Sequence, residues 1–435
     1  MQYEATLCTS ILGASIRASF GSSILADGTV VSPFTCTLTL DTNPSPLLPS
    51  AMSRSKSFQM GDSPKFPILI VCGGGYVSGK EIVVLELGQG LVHSGQPVSV
   101  LASSWNNRDF VTQLRRAGLP AQTLPIGFIS ATLKPKPMLM TSEQIWFLPS
   151  LLRKYARVLR NLRPRNVVHT NWHHLLLLLP FLRAQRDLYW LHEFVPNRPL
   201  YRRLFQHLSG RLKCFVCVSH AVAGSLRHLG IDESKIRVVH NGITDLVSET
   251  SPSSCATPFR IGIVGQVGVW KGHDDLLDAF AIVHQTHAMS ELHIFGTGDA
   301  TYKRELESKA GLLGVSQSVK WHDFVSDRRA IYKQIDVCVV PSRSQDPLPT
   351  SAIEAGFSGL PVIATRRGGL PEIIEHEQNG LLVEAERPEE IAQAIGRLID
   401  NPQFRRRLAL NARGRAAERF GQERFIAEFR TLLEA

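Results

Sequence analysis

A chain of 435 residues, 43% hydrophobic and 20% charged, has the length and composition of two globular domains with sizeable cores, which excludes a fibrous or wholly disordered chain. Its longest apolar run near the middle, Leu175 to Leu182, has Pro180 inside it and falls far short of the roughly 20 residues a bilayer-spanning helix needs, so it reads as a buried helix or strand. Seven cysteines scattered at 8, 36, 72, 214, 217, 255 and 338 make no disulfide framework, and no apolar secretory segment precedes them, which points to a reducing, cytoplasmic setting.

Residues 1–61 are rich in Ser, Thr and Pro with no sustained helical period, so they read as a disordered extension, with Met52 or Met60 as alternative starts. From Phe66 the pattern gives a buried strand to Cys72, a glycine-rich turn, an amphipathic helix to about His93 and a strand from Pro97 to Leu101, which together predict a βαβ unit. The turn fails as a dinucleotide fingerprint, because Ser78 stands at the third glycine position and no acid follows the second strand. It also fails as a P-loop, since Glu81 replaces the Ser or Thr that would hold magnesium.

Further on, Leu148, Leu151, Leu152, Tyr155, Leu159 and Leu162 share one helical face, while Arg153, Lys154, Arg157, Arg160 and Arg163 fill the rest. Residues 151–213 carry 13 Arg and Lys against Asp187 and Glu193, a net of +11 that leaves −1 for the rest of the chain. Two readings fit: a core-packed helix with a solvated basic face, and a peripheral seat on anionic lipid through 148–213 at the inner face of the membrane. Nucleic acid is disfavoured, because aromatic residues do not alternate with the basic ones and no recognition motif occurs. His169, His173 and His174 lack a helical i, i+4 pairing and an acid close by in sequence, so no metal site is predicted there. The run Leu188-Tyr-Trp reads as a strand leading to His192. Cys214-Phe-Val-Cys217 has redox spacing but lies in a strand-like run, where nothing stabilises a thiolate, so a structural role is expected.

The Ser/Pro-rich stretch 246–256 reads as a hinge, after which Phe259 to Gly265 restarts a buried strand and Lys271 to His284 has helical spacing. The strand-like run Ile335 to Val340 ends at Pro341, Pro347 and Pro349 suit a helix start, and Gly359 supplies a left-handed stop, so a short helix is predicted from about Pro349 to Ser358. Asp346 falls just before that helix and Glu354 on it, roughly 10 Å apart at about 1.5 Å rise per residue. Free N–H groups and the dipole of a helix start favour phosphate, so the spacing suits sugar hydroxyls at Asp346, diphosphate between, and ribose hydroxyls at Glu354.

Around these acids the chain reads Asp346-Pro-Leu-Pro-x4-Glu354-Ala, then Gly359-Leu-Pro-Val, then Gly368-Gly-Leu-Pro-Glu372. With Gly265-Gln-x4-Lys271-Gly, Gly296-Thr-Gly298, Val319 to Val325 and Val238-Val-His-Asn241-Gly, this resembles the motif set of retaining glycosyltransferases of family 4, in the family's order over about residues 66–435. The departures are Asp346 where Glu is usual, Leu348-Pro349 where Phe-Gly is usual, and the uncharged Gln266 where Arg is usual. The resemblance implies an α/β GT-B fold, two facing Rossmann-like domains with parallel sheets and an interdomain cleft. The acceptor domain would span 62–245, the nucleotide-sugar domain 257–415, and a helix over 416–435 would return to the first domain. The implied activity is transfer of a hexosyl unit from a UDP- or GDP-sugar to a glycan or lipid-linked glycan, without a metal or other cofactor. A GT-B epimerase or phosphorylase, and a noncatalytic glycan- or membrane-binding relative, are the alternatives. Asp346, His192 and Lys271 fall at the implied catalytic positions, and Glu354, Gln266, Gly265, Phe324, Thr350 and Gly75 at donor-binding ones.

Overall fold

The computed structural model describes residues 66–73, 77, 79–105, 109–129, 135–245 and 258–435. The expected extension 1–61, Gly75 and the expected hinge 246–256 lie outside the described residues.

The first half runs β1 (Ile68–Val71), α1 (Gly79–His93), β2 (Val98–Ser103), α2 (Asp109–Arg116), β3 (Ala121–Leu124), α3 (Pro135–Leu162), β4 (Asn166–His169), α4 (Trp172–Leu177), β5 (Asp187–Leu191), α5 (Pro199–Ser209), β6 (Cys214–Cys217), α6 (His220–His228) and β7 (Ile236–Val238). The second runs β8 (Phe259–Val264), α7 (His273–Thr286), β9 (Ser290–Phe295), α8 (Ala300–Leu312), β10 (Val319–His322), α9 (Arg328–Tyr332), β11 (Val337–Val340), α10 (Thr350–Phe357), β12 (Val362–Thr365), α11 (Leu370–Ile373), β13 (Gly380–Val383), α12 (Pro388–Asp400), α13 (Pro402–Phe420) and α14 (Gln422–Glu434).

The strands form two sheets, ordered β3-β2-β1-β4-β5-β6-β7 and β10-β9-β8-β11-β12-β13, with every pairing parallel. Helices cover both faces of such a sheet, so central strands must be apolar throughout. The sequences ILIV of β1 and VCVV of β11, buried at every position, meet that demand. The strand order reverses between β1 and β4 and between β8 and β11, and the crevice beyond the strand ends at such a reversal is where doubly wound sheets bind ligands.

The chain leaves the first half at Ile243 and returns at Gly421, and the two crossings pair with each other: Ile243 N donates to Phe420 O at 3.0 Å. After the return, α14 lies along α1 and buries Phe425 and Phe429 against Trp190, contributing roughly 1.5–3 kcal/mol for each ring. Asn166 Nδ2 donates to Leu433 O at 2.9 Å and Lys213 Nζ to Leu432 O at 3.1 Å, fixing the far end of α14.

Helix α3 begins 13 residues before the apolar face that announces it at Leu148, because Pro135, Pro137 and Pro149 disguise the pattern. Its buried apolar side chains are Leu151, Tyr155 and Val158, Gln144 is buried as well, and the expected arginines are outward. Among the described residues no helix is long and apolar enough to cross a membrane. Leu175 to Leu182 forms α4 and a following single turn. Cys214 and Cys217 are buried free thiols, and burial pushes them up to about 11 and about 12.

Candidate active site

The signature residues gather at the reversal between β8 and β11. A small recess there is lined by Val264, Gly265, Lys271, His273, Val340 and Pro341. Lys271 ends a single 3-10 turn, and Gly272 follows it in the left-handed region at φ 73°. A Cβ on Gly272 would sit 2.0 Å from Pro341 O, so only glycine lets this loop close on the end of β11. That closure brings Lys271 Nζ to 2.7 Å from Asp346 Oδ2, and Ser342 Oγ donates to the same oxygen at 3.1 Å.

The pair of glycines at 368 and 369 does similar work from the other side. Gly368 has φ 57°, and a Cβ there would lie 2.0 Å from Asp346 O, while Gly369 N donates to that carbonyl at 2.8 Å. The backbone of Asp346 is thus held by a turn that tolerates no side chain. Arg343 anchors the same loop through a two-pronged ion pair with Asp275, at 2.7 and 2.6 Å, which holds its guanidinium well above its ordinary value.

Helix α10 begins at Thr350 after Pro349 and ends at Phe357, two residues before Gly359, matching the expected short helix. Its free N-terminus points toward the first half, where a Cβ on Gly79 would come within 3.6 Å of Thr350 Oγ1. Two helix starts, of α1 and α10, therefore face each other across the cleft, both with positive dipole ends. Glu354 lies one turn further along α10, 4% exposed. Arg328 Nη1 donates to its Oε1 at 3.1 Å and the Tyr332 hydroxyl to its Oε2 at 2.9 Å. Burial pushes the Glu354 carboxyl above its ordinary value, partly offset by Arg328 and Tyr332. Neither partner has a signal in the signature itself, since both lie more than 20 residues upstream on α9.

Gly265 closes the end of β8, Gln266 is exposed beside it, and Phe324 stands 63% exposed in the loop after β10. The structure thus brings Lys271, Asp346, Gly265 and Thr350 to one end of the second sheet, and leaves Phe324 and Gln266 as open rim residues.

On the first sheet, His192 directly follows β5 and its ring lies 4.4 Å from that of Trp190. Burial holds it well below its ordinary value, so it is neutral at pH 7, and its Nε2 is buried without a partner. His173 and His174 behave alike: burial lowers His173 to about 4 and takes His174 well below its ordinary value. Lys80, at the start of α1, is the cation they feel, and it stays charged because Glu81, 3.5 Å away, and Glu193 outweigh the cost of its burial. The sequence pointed to this lysine only as part of a failed P-loop.

His169 has an acid at hand after all, Asp187, 2.8 Å from its Nε2, brought there by the pairing of β4 with β5. Among the described residues only His220, His240 and Glu372 stand close enough together to share an ion. Glu372 already accepts from the backbone N–H groups of His220 and Ala221, at 2.9 and 2.8 Å, and from His240 Nε2 at 2.7 Å. This trio is a clasp between α11 and the start of α6.

Two all-parallel sheets joined by a double crossing, with a Lys-Asp pair and a helix start at one strand-order reversal, define the GT-B class of protein. Solved structures agree on the fold: HepE of Anabaena in complex with UDP and glucose superposes with a TM-score of 0.71, at 21% identity, over 85% of this chain and 99% of that one. Residues 77–245 match the family Glycosyltransferase Family 4 and residues 258–401 match Glycosyl transferases group 1. The D-inositol 3-phosphate glycosyltransferase of Xylanimonas cellulosilytica is 28% identical over 82% of this chain and 91% of its own length. An uncharacterized glycosyltransferase of Methanocaldococcus jannaschii is 31% identical over 45% of this chain. The chain spans about half the length of several curated relatives it matches, 53% in the case of the Methanocaldococcus protein. The chain belongs to glycosyltransferase family 4, the glycosyl transferases of group 1.

Proposed function

We propose that the chain is a retaining hexosyltransferase that takes the sugar of a UDP- or GDP-sugar and passes it to a glycan or lipid-linked glycan. The observation that carries this reading is the Lys271–Asp346 pair at the mouth of α10, with Glu354 eight residues further on. In this reading the diphosphate lies against Lys271, Gly265, Gln266 and Thr350, where a cation and a helix start stabilise the charge that builds as the anomeric C–O bond breaks. Glu354 accepts from the ribose hydroxyls and Phe324 edges the base. As the bond between the anomeric carbon and the diphosphate oxygen breaks, the acceptor oxygen bonds to that carbon on the same face and passes its proton to the departing diphosphate oxygen. Asp346 orients the sugar: a carboxylate paired to Lys271 and bonded to Ser342 is a weakened nucleophile. His192, neutral and with a free ring nitrogen, lines the cleft opposite. Protein charge takes the role a metal plays elsewhere. The UDP and glucose of the Anabaena HepE structure support a UDP-sugar donor.

A thermal-shift series of UDP-, GDP- and ADP-sugars on wild type and Glu354→Ala tests this. One nucleotide class is expected to stabilise the wild type, and much less the variant; stabilisation by none, or equal stabilisation of both proteins, removes the donor-site reading.

The acceptor's setting follows from α3. Met138, Leu139, Ile145 and Trp146 lie on one face of its first half and are 53, 69, 61 and 82% exposed. The same face continues into exposed Arg153, Arg157 and Arg160. An apolar tip followed by a basic stretch suits a seat on an anionic lipid surface, at the inner face of a membrane. The lipid-facing part therefore starts upstream of the 148–213 stretch suggested by charge alone. Flotation with vesicles containing phosphatidylglycerol should fail for Trp146→Ser with Arg153, Arg157 and Arg160 changed to Glu. Unchanged flotation would count against the seat.

A further inference from the structure

Glu86, two turns into α1, gathers donors from each place where the chain connects the two halves. Its Oε2 accepts from Thr244 Oγ1 at 2.7 Å and from Gln422 Nε2 at 2.8 Å, residues that belong to the outgoing and returning crossings. Its Oε1 accepts from Arg328 Nη2 at 3.0 Å. The other prong of the same guanidinium holds Glu354, the carboxylate read above as the ribose contact. Arg328 thus bridges two carboxylates from opposite halves, with side chains 7% and 6% exposed.

We infer that Arg328 is a positioning residue that couples nucleotide occupancy at Glu354 to the hinge between the halves through Glu86. The inference rests on Glu354 being the ribose-binding carboxylate. A carboxylate has about four acceptor sites, and Arg328 and Tyr332 occupy one on each oxygen of Glu354, which leaves lone pairs for two hydroxyls. Arg328 fixes the plane in which those lone pairs lie. Any movement of α1 against α9 stretches the Arg328–Glu86 contact and shifts that plane, so the hinge and the nucleotide share one degree of freedom. Only a planar fork does this; a lysine ammonium has no rigid geometry with which to orient both carboxylates.

The test measures UDP and GDP binding by calorimetry, and hydrogen exchange at 242–245 and 420–423, for wild type, Glu86→Gln, Arg328→Lys, Arg328→Gln and Glu354→Ala. In wild type, the nucleotide that binds should slow exchange in both crossing segments. In Glu86→Gln its affinity should fall about fivefold or more, the usual size of a coupling between sites, and the protection of the crossings should vanish. Arg328→Lys should behave like Glu86→Gln. In Arg328→Gln, Glu354 faces only Glu86, Tyr332 and Cys338, none of them a cation. Burial, no longer offset by the guanidinium, then raises its carboxyl further than in wild type, so as pH is lowered its affinity should begin to drop at a higher pH than that of wild type. A merely structural arginine would lower the melting temperature and leave the pH profile and the wild-type-like protection in place, which overturns the coupling. Unchanged binding by Glu354→Ala would instead remove the ribose reading, and binding of neither nucleotide to wild type removes both.

Discussion

The ends of the two sheets are built from the same βα units, yet they differ in how many of their polar groups are charged and paired. Around the second sheet the charges are paired: Lys271 with Asp346, Arg328 with Glu354, Arg343 with Asp275. At the end of the first, one cation, Lys80, is paired with Glu81 at 3.5 Å, and burial holds His173, His174 and His192 neutral around it, with ring nitrogens left unpartnered. A paired rim holds Lys271 in place for an anion, and an incoming diphosphate must take it from Asp346. A rim of neutral donors and acceptors fits a ligand rich in hydroxyls, whose oxygens can complete the bonds the histidines lack. The contrast therefore supports the proposed reading, a charged donor on one side and a hydroxyl-rich acceptor on the other.

The strongest way to break that contrast is Lys271→Ala. Loss of one group that stabilises developing negative charge lowers kcat by on the order of 10²–10³. An intact kcat in steady-state transfer assays would show that the paired rim does not carry the leaving group. Asp346→Asn sharpens the same point. Lys271 loses its resting partner and becomes freer to meet a diphosphate, so UDP affinity should rise a few-fold while transfer falls by about 10²-fold or less. Calorimetry and kinetics on one preparation give both numbers. A fall in UDP affinity would mean that Asp346 does not compete for the lysine.

On the opposite rim the expected effects are smaller. His192→Ala removes one neutral hydrogen-bonding group, worth about 0.5–1.5 kcal/mol, or up to about tenfold in kcat/KM for the acceptor. The sign with pH is distinctive. Because burial depresses the His192 pKa, the ring stays neutral as pH falls through the usual histidine range, and the profile of kcat/KM should show no inflection from it near about 6.5. An inflection there that disappears in His192→Gln would place a protonated imidazole in the cleft.

Much of the second half was legible because its geometry is local in sequence. Thr350 to Phe357 is a helix between prolines and a glycine, and Asp346 and Glu354 are eight residues apart on one stretch. The partners that hold Glu354 were not legible, since Arg328 and Tyr332 reach it only through the packing of α9, and Glu86 meets Arg328 only through that of α1. The same holds for His169 and Asp187, 18 residues apart and joined by strand pairing. The length of α3 was hidden for a different reason: Pro149 sits inside it at the cost of one backbone hydrogen bond, and a proline at that place reads as a boundary.

The Glu372 clasp separates assembly of the two halves from the chemistry at either rim. Glu372 belongs to the second half, and its partners, two backbone N–H groups at the start of α6 and His240, belong to the first. Burial alone would raise its carboxyl, but the hydrogen bonds from His240 and from the backbone of His220 and Ala221 outweigh it and hold the group below 4.5. A carboxyl lowered in the folded state stabilises it fully above the ordinary value, and that contribution fades as pH falls through the folded value. Glu372→Gln should therefore lower stability by about 1.5–3 kcal/mol at neutral pH, the range for hydrogen bonds to a charged group. In urea titrations the gap between variant and wild type should close as pH is lowered below about 4.5, because wild type loses the charge the variant never had. UDP affinity at neutral pH should change less than stability does, since the clasp touches neither Lys271 nor Glu354. A gap that persists undiminished into acid would mean that the carboxylate's charge does not hold the halves together, and that shape alone closes the cleft.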